Sequence, residues 1–204
     1  MARSSNTEAR RAEITGALLA VIARHGYEKA TIQAIAAQAG LAPGLLHYHF
    51  RNKQEILVSL IGAMAQAAHQ RYLAVLGDAV APSGRLRAYL QARLGLGDGA
   101  APEIVSAWVM IGAEAVRQPE VRAVYRQMIA DELALLGTLL ADCLREHGRD
   151  TTGAPALAAG LAALIEGAYH LSGAAAEVLP RGYAAPAAIA YAELAIAAAP
   201  PARR

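Results

Sequence analysis

The chain has 204 residues, 19 Lys or Arg against 17 Asp or Glu, a formal charge of +2 and 55% apolar residues. That is enough apolar mass for one large domain or two small ones. Its single cysteine, Cys143, excludes an intrachain disulfide and with it a disulfide-stapled secreted scaffold. Alanine dominates while β-branched and aromatic residues are sparse, so the composition favours helix nearly everywhere and predicts an all-α fold.

In chain order, the polar start MARSSNTEARR has no apolar run behind it and predicts no secretory signal. Ser5-x-x-Glu8 is a capping box, and Ile14, Ala17, Leu18, Val21 and Ile22 recur at helical spacing, so a first helix is expected from about residue 7 to 25, ended by Gly26. Residues 31 to 53, TIQAIAAQAGLAPGLLHYHFRNK, then read as two short helices around a glycine turn, near 32 to 39 and 43 to 49. Thr31 is placed to cap the first of them, and Ile32, Ile35, Ala36 and Ala39 give it one apolar face. Gly40 supplies the positive φ at which it turns. Pro43 opens the next helix where a missing N–H costs nothing, and Leu46 and Phe50, four apart, can anchor it from behind. His47, Tyr48 and His49 leave polar tips near the outer surface, which is the layout of a helix-turn-helix DNA reader. Charge agrees: residues 1 to 53 hold seven basic side chains (Arg3, Arg10, Arg11, Arg24, Lys29, Arg51, Lys53) against Glu8, Glu13 and Glu28, a balance of +4, while the rest of the chain carries −2.

Asn52 can cap a long fourth helix from Lys53 to about Leu76, a connector between a DNA-binding domain (1–53) and a larger helical ligand-binding and dimerisation domain (54–204). Turn signals at Asp98-Gly99 with Pro102, at Gln118-Pro119, from Gly148 to Pro155 and from Pro180 to Pro186 divide the remainder into helices near 83–95, 102–116, 119–147, 154–177 and 185–198, about nine in all. Residues 154 to 176 are long and apolar enough for a membrane span, but a central Glu166 is costly in lipid and the flanks lack an aromatic and basic belt. A helix buried on several sides of a bundle is the expectation instead. The last two helices, rich in Ala, Leu and Gly, are the candidate dimer interface, and the tail from Pro200 to Arg204 is expected to fray.

The order T-I-x-x-I-A-x-x-A-G-L-x-x-G-x-L-x-Y-x-F-x-N-K, from Thr31 to Lys53, resembles the N-terminal domain of TetR-type transcriptional repressors. The resemblance implies an all-helical cytoplasmic homodimer that binds a palindromic double-stranded operator and is released by a small-molecule effector. It also implies that the last two helices pair with their symmetry mates. On the reader, Thr31 is a cap whose hydroxyl or N–H can also meet a phosphate. Gln33 aligns with a base-reading position, or is a solvated surface residue. Pro43, Gly44 and Leu45 form the N-terminal turn of the reading helix, where Leu45 offers an apolar surface to a thymine methyl. His47 falls where the family often has Tyr, Tyr48 and Lys53 match its phosphate clamps, and His49 is a second phosphate contact or a packing residue. Many relatives have Ser or Thr where this chain has Ala42, so one cap and one phosphate contact are expected to be missing.

For the effector pocket, among helices four to eight, Trp108, Met110, Glu114, Tyr125, Met128, Glu166 and His170 are candidate lining residues. The stretches from Ala107-Trp108 through Gln118-Pro119 and from Gly160 to Gly167 are similar to the choline-responsive, betaine-pathway branch of that family. The similarity implies a cationic or amphipathic effector held by aromatics and a carboxylate. Met110-Ile111 stand where that branch tends to have aromatic residues. One rival class is a structural dimer without DNA binding, which leaves the basic N-terminal part and the His47-Tyr48-His49 edge unexplained. The other is a helical-bundle enzyme, but none of the six histidines has an acid three residues before it, as a di-iron site requires. No phosphate loop or nucleophile elbow is present either, and the pair His47-x-His49 diverges on a helix, so no catalytic residue, metal site or cofactor is expected.

Overall fold

The computed structural model describes residues 2–78, 81–95 and 102–202, with side chains from Thr7 onward. Among them are nine α-helices: α1 (Ala2–His25), α2 (Ile32–Ala39), α3 (Pro43–His49), α4 (Lys53–Leu76), α5 (Pro82–Leu94), α6 (Pro102–Arg117), α7 (Pro119–Glu146), α8 (Ala154–Ala174) and α9 (Ala184–Ala198). A 3-10 turn at Ala176–Val178 follows α8. The α/turn alternation therefore follows the punctuation by Gly and Pro, and the Asp98-Gly99 signal lies outside the described residues.

The chain divides into two compact units, Met1–Ala65 with Ala101–Gln127, and Gln66–Ala100 with Met128–Arg204. In the first, α1 packs against α2, α3 and α6, and α2 against α3. The apolar face read from the sequence is its core: Ile14, Leu18 and Ile22 of α1, Ile35 of α2, Leu46 of α3 and Phe50 are buried, joined by Ile56 and Leu57 of α4. Each such side chain stabilises the unit by ~1.5–3 kcal/mol. In the second unit α9 packs on α5 and α8, and α8 also on α5.

Three expectations are corrected. Helix α1 begins at Ala2, so Ser5 lies inside it rather than at its N-cap, because Ala2 to Asn6 contain neither Gly nor Pro to stop helix propagation. Helix α8 is not buried on several sides: Ala158, Leu161, Ile165 and Tyr169 form one buried face, while Ala156, Ala159, Ala163, Gly167 and Leu171 form an exposed stripe opposite. It is the single helix among the described residues long and apolar enough to cross a membrane. The tail is tied down as far as Ala202: Asp150 N–H donates to the Pro200 carbonyl (2.8 Å), Ala202 N–H to the Gly148 carbonyl (2.9 Å) and Arg149 to the Ala199 carbonyl (3.0 Å). The Gly148–Asp150 turn after α7 presents backbone groups that a helix cannot use, and the tail satisfies them.

Candidate nucleic-acid interface and ligand-binding region

Of the two short helices of the reader, α2 is capped at both ends. Thr31 holds an extended conformation and its Oγ1 accepts from Ala34 N–H (3.1 Å). At the other end Gly40 sits at φ 67°, where a residue with a Cβ is strained, so that Gly40 and Leu41 N–H close on the Ala37 and Ala36 carbonyls. Ala42 makes no side-chain cap, and Pro43 alone presets the start of α3. Asn52 caps α4 by accepting from Glu55 N–H (2.8 Å), and the Glu55 carboxylate reaches back to Arg51 N–H (2.8 Å). That bond, with the Arg11 charge as a lesser contributor, holds the Glu55 carboxyl below its ordinary pKa.

These caps and the buried Leu46 leave the opposite side open. Gln33, Pro43, Gly44, Leu45 and His47 are exposed, and Tyr48 is 77% exposed. A Cβ on Gly44 would meet nothing within 4 Å, so the fold itself does not require glycine there. His49 is half-buried beneath the Tyr48 ring, edge to face at 5.0 Å, with Nδ1 buried and without a hydrogen-bond partner. Its carbonyl, near the C-terminus of α3, accepts from the Arg11 guanidinium, which also lies 3.9 Å over the Phe50 ring and pairs with Glu55 (3.5 Å). Arg11 thus locks the end of the reading helix from behind, a role that sequence reasoning missed because its partners lie 38 and 44 positions away.

Lys53 is half-buried, donates to the Tyr27 carbonyl (3.1 Å) and sits 4.0 Å from the centroid of the Tyr27 ring. Burial holds its pKa below the ordinary lysine value, against the opposing pull of Glu114, Glu120 and Glu28. Burial likewise pushes the Tyr27 phenol up to about 12. Lys53 therefore presents a cation at the start of α4 with one donor already engaged.

Of the residues expected at the effector site, four lie in the first unit and three in the second. Trp108 and Tyr125 are brought together as a stacked pair, 5.1 Å between centroids, and Gly112 makes room for the Tyr125 ring. Glu114 accepts from Gln118 Nε2 (2.6 Å), and Met110 is half-buried. In the second unit Met128 and Glu166 are half-buried, and His170 is exposed on the outer face of α8.

The second unit also holds a buried polar cluster that the sequence did not disclose. Arg93 of α5 meets Glu132 of α7 in a two-pronged ion pair, Nε to Oε1 and Nη2 to Oε2 at 3.1 Å each, the two side chains 14% and 7% exposed. Tyr89 OH donates to Glu132 (2.9 Å), Tyr169 OH donates to the Arg93 carbonyl (2.7 Å), and Tyr72 stands edge to face on Tyr89 at 5.8 Å. The Arg93 guanidinium lies 5.3 Å from the Tyr169 centroid, and Glu166 is near enough for its charge to act on both. Burial alone would lower the Arg93 pKa, but Tyr169, Glu132, Tyr89 and Glu166 outweigh it and the net shift is upward. Burial pushes both the Tyr89 and Tyr169 phenols up, so they stay protonated donors. The cluster is a cation enclosed by rings and carboxylate.

A model of bacterial regulatory proteins of the tetR family matches residues 14–60, the stretch that forms α2, α3 and their supports. A model of the C-terminal domain of BetI-type transcriptional repressors matches residues 82–197, more than half of the chain. The chain belongs to the TetR family and carries a BetI-type C-terminal domain. The HTH-type transcriptional regulator BetI of Rhizobium meliloti is 32% identical over 163 residues, 78% of this chain and 76% of that one. A transcriptional regulator of Pseudomonas aeruginosa PAO1 shares the fold at TM-score 0.80 and 24% identity, over 94% of this chain and 92% of that one. A regulator from Saccharomonospora viridis, solved in complex with choline, shares it at TM-score 0.70 and 24% identity, over 96% and 99%. This TetR-family chain is accordingly a transcriptional repressor and not an enzyme, in a family whose members bind operator DNA, typically as dimers under small-molecule control.

Proposed function

We propose that this TetR-family repressor binds a palindromic operator as a homodimer through its last two helices, and leaves it when a small organic cation or amphipathic molecule occupies its C-terminal unit. The observation that carries the DNA half is the two-sidedness of α2 and α3, fully buried at Ile35 and Leu46 and open along Gln33, Leu45, His47 and Tyr48. In this reading Tyr48 and Lys53 clamp phosphates, Thr31 adds its hydroxyl proton, and His47 donates to phosphate or base. Gln33 and Leu45 meet base edges, and Pro43 and Gly44 bring the α3 backbone close to the groove. His49 packs under Tyr48 and orients it. Two such readers fit successive major grooves about 34–36 Å apart, hence the palindrome.

The dimer half rests on the exposed stripe of α8 together with Tyr191 and Leu194 of α9, the latter 72% exposed. The effector half rests on the BetI-type domain and on the regulator of the same fold solved in complex with choline, since the ring-and-carboxylate cage in the second unit is already filled by the Arg93 guanidinium. Of the residues expected from the sequence, Met128, Glu166 and His170 belong to this unit and are its candidates, whereas Trp108, Met110, Glu114 and Tyr125 belong to the first unit. Helices α4 and α7 each run from one unit into the other, so an effector that prefers one arrangement of the second unit biases the first through continuous helix. Such a protein works in the cytoplasm, where its operator is. The test is a mobility-shift assay on a duplex carrying the palindrome upstream of the gene, with and without choline chloride. A shifted band that choline dissolves is expected; no band overturns the operator assignment, and a band indifferent to choline overturns the cationic effector.

A further inference from the structure

Within the second unit a cavity of ≈ 210 Å³ lies between α5, α7 and α9. Leu86 and Leu90 of α5, Cys143 of α7, and Ala192 and Ile196 of α9, all buried, form its apolar wall. Ile189 and Ala197 of α9 add to it, and the polar lining is Ser83 and Arg87 of α5, His147 just after α7, and Glu193 of α9. Arg87 and Glu193 are ion-paired across α5 and α9, and both keep more than half of their side chains exposed, so this end of the cavity is its rim. His147 Nδ1 lies 2.9 Å from the Cys143 carbonyl, an atom that only accepts, so Nδ1 carries a proton and donates there. The Arg93 cluster shares no residue with this lining.

We infer that this cavity is a second small-molecule site, for a single-ring hydroxyaromatic compound whose ring fills the apolar wall and whose hydroxyl meets the Arg87–His147–Glu193 rim. Size sets the single ring: a dry apolar cavity of ~150 Å³ holds benzene, and this one is somewhat larger. Apolar walls reject a charged body, which excludes a small cation as the occupant. The rim supplies both an acceptor and a donor for one hydroxyl, whereas a carboxylate would meet the Glu193 charge as well as that of Arg87. An occupant touches α9 on the side opposite Tyr191 and Leu194, and it needs no DNA to bind.

The test is fluorine NMR of 4-fluorophenol titrated with the full-length protein, compared with fluorobenzene. Two variants reduce the space: Ala192→Leu from the buried wall, and Ala197→Leu from the exposed rim, where enlargement does not threaten folding. The wild type is expected to broaden the 4-fluorophenol line saturably, fluorobenzene to bind several-fold more weakly, and each variant to weaken 4-fluorophenol by about tenfold or more. If Ala192→Leu does not fold, Ala197→Leu carries the comparison. Absence of saturable broadening, or broadening unchanged in Ala197→Leu, overturns the site; equal binding of fluorobenzene overturns the hydroxyl assignment.

Discussion

At the residue scale, the polar side chains that matter most are those whose partners come from distant parts of the chain. Glu132 is the clearest. Its carboxylate is held by Arg93 and Tyr89 in a buried setting, so removing it strands a guanidinium rather than deleting a surface charge. Glu132→Ala is expected to destabilise the protein by about 3–5 kcal/mol, whereas the double replacement Arg93→Met with Glu132→Leu restores most of that loss. Urea unfolding of the three proteins decides it, and equal midpoints for Glu132→Ala and wild type would refute the buried-pair argument. Lys53 teaches a related lesson: it stands at the family's clamp position, yet its ammonium is partly committed to Tyr27. In the proposed clamp Lys53 has only its leftover donors to offer a phosphate, and Tyr48, in its exposed position, is the stronger half.

At the scale of the element, capping decides how well the reader is held. Helix α3 is only seven residues long and starts without a side-chain cap at Ala42, so much of its stability comes from Leu46 beneath it. Ala42→Ser should supply the missing acceptor and stabilise the first unit by ~1 kcal/mol, with tighter operator binding from the added hydroxyl. An unchanged urea midpoint would show that Pro43 already does the whole job. The start of α4 is pH-sensitive. The Glu55 carboxyl titrates below its ordinary 4.5, chiefly because it accepts from Arg51 N–H, so its stabilising effect is complete above that value and is lost as the pH falls through the lower, folded one. The stability difference between wild type and Glu55→Gln should therefore be full at neutral pH and vanish in acid, as measured by urea unfolding across a pH series. A difference that persists undiminished in acid contradicts the cap.

The same scale shows what was legible in the sequence. Helix boundaries in the reader followed from Thr31, Gly40, Pro43 and Asn52, because caps act within four residues and leave a local signature. The start of α1 did not, since a capping box in a stretch without Gly or Pro is permitted to be bypassed. Nor did the tethered tail, the Arg11 lock or the Arg93–Glu132 pair. Each joins residues dozens of positions apart, where no period or spacing links the partners. Residue type alone does not single out Tyr72, Tyr89 and Tyr169, which only become a cluster once α4, α5 and α8 are placed side by side.

For the whole molecule, charge and architecture agree. The excess of basic side chains falls in residues 1 to 53, within the unit that carries the open edge of α2 and α3, and the remainder of the chain is net acidic. A nearly neutral protein thus concentrates its positive potential where a phosphate backbone is to be met. In the proposed binding mode this edge meets DNA through phosphate contacts in each of two protomers. The most direct measurement is the affinity of the full-length protein for the palindromic duplex upstream of its gene, by fluorescence anisotropy over a range of salt concentrations. A steep linear fall of log K with log salt is expected, about 0.9 for each phosphate neutralised, with several phosphates in total. Binding that is absent, or that does not change with salt, would contradict it.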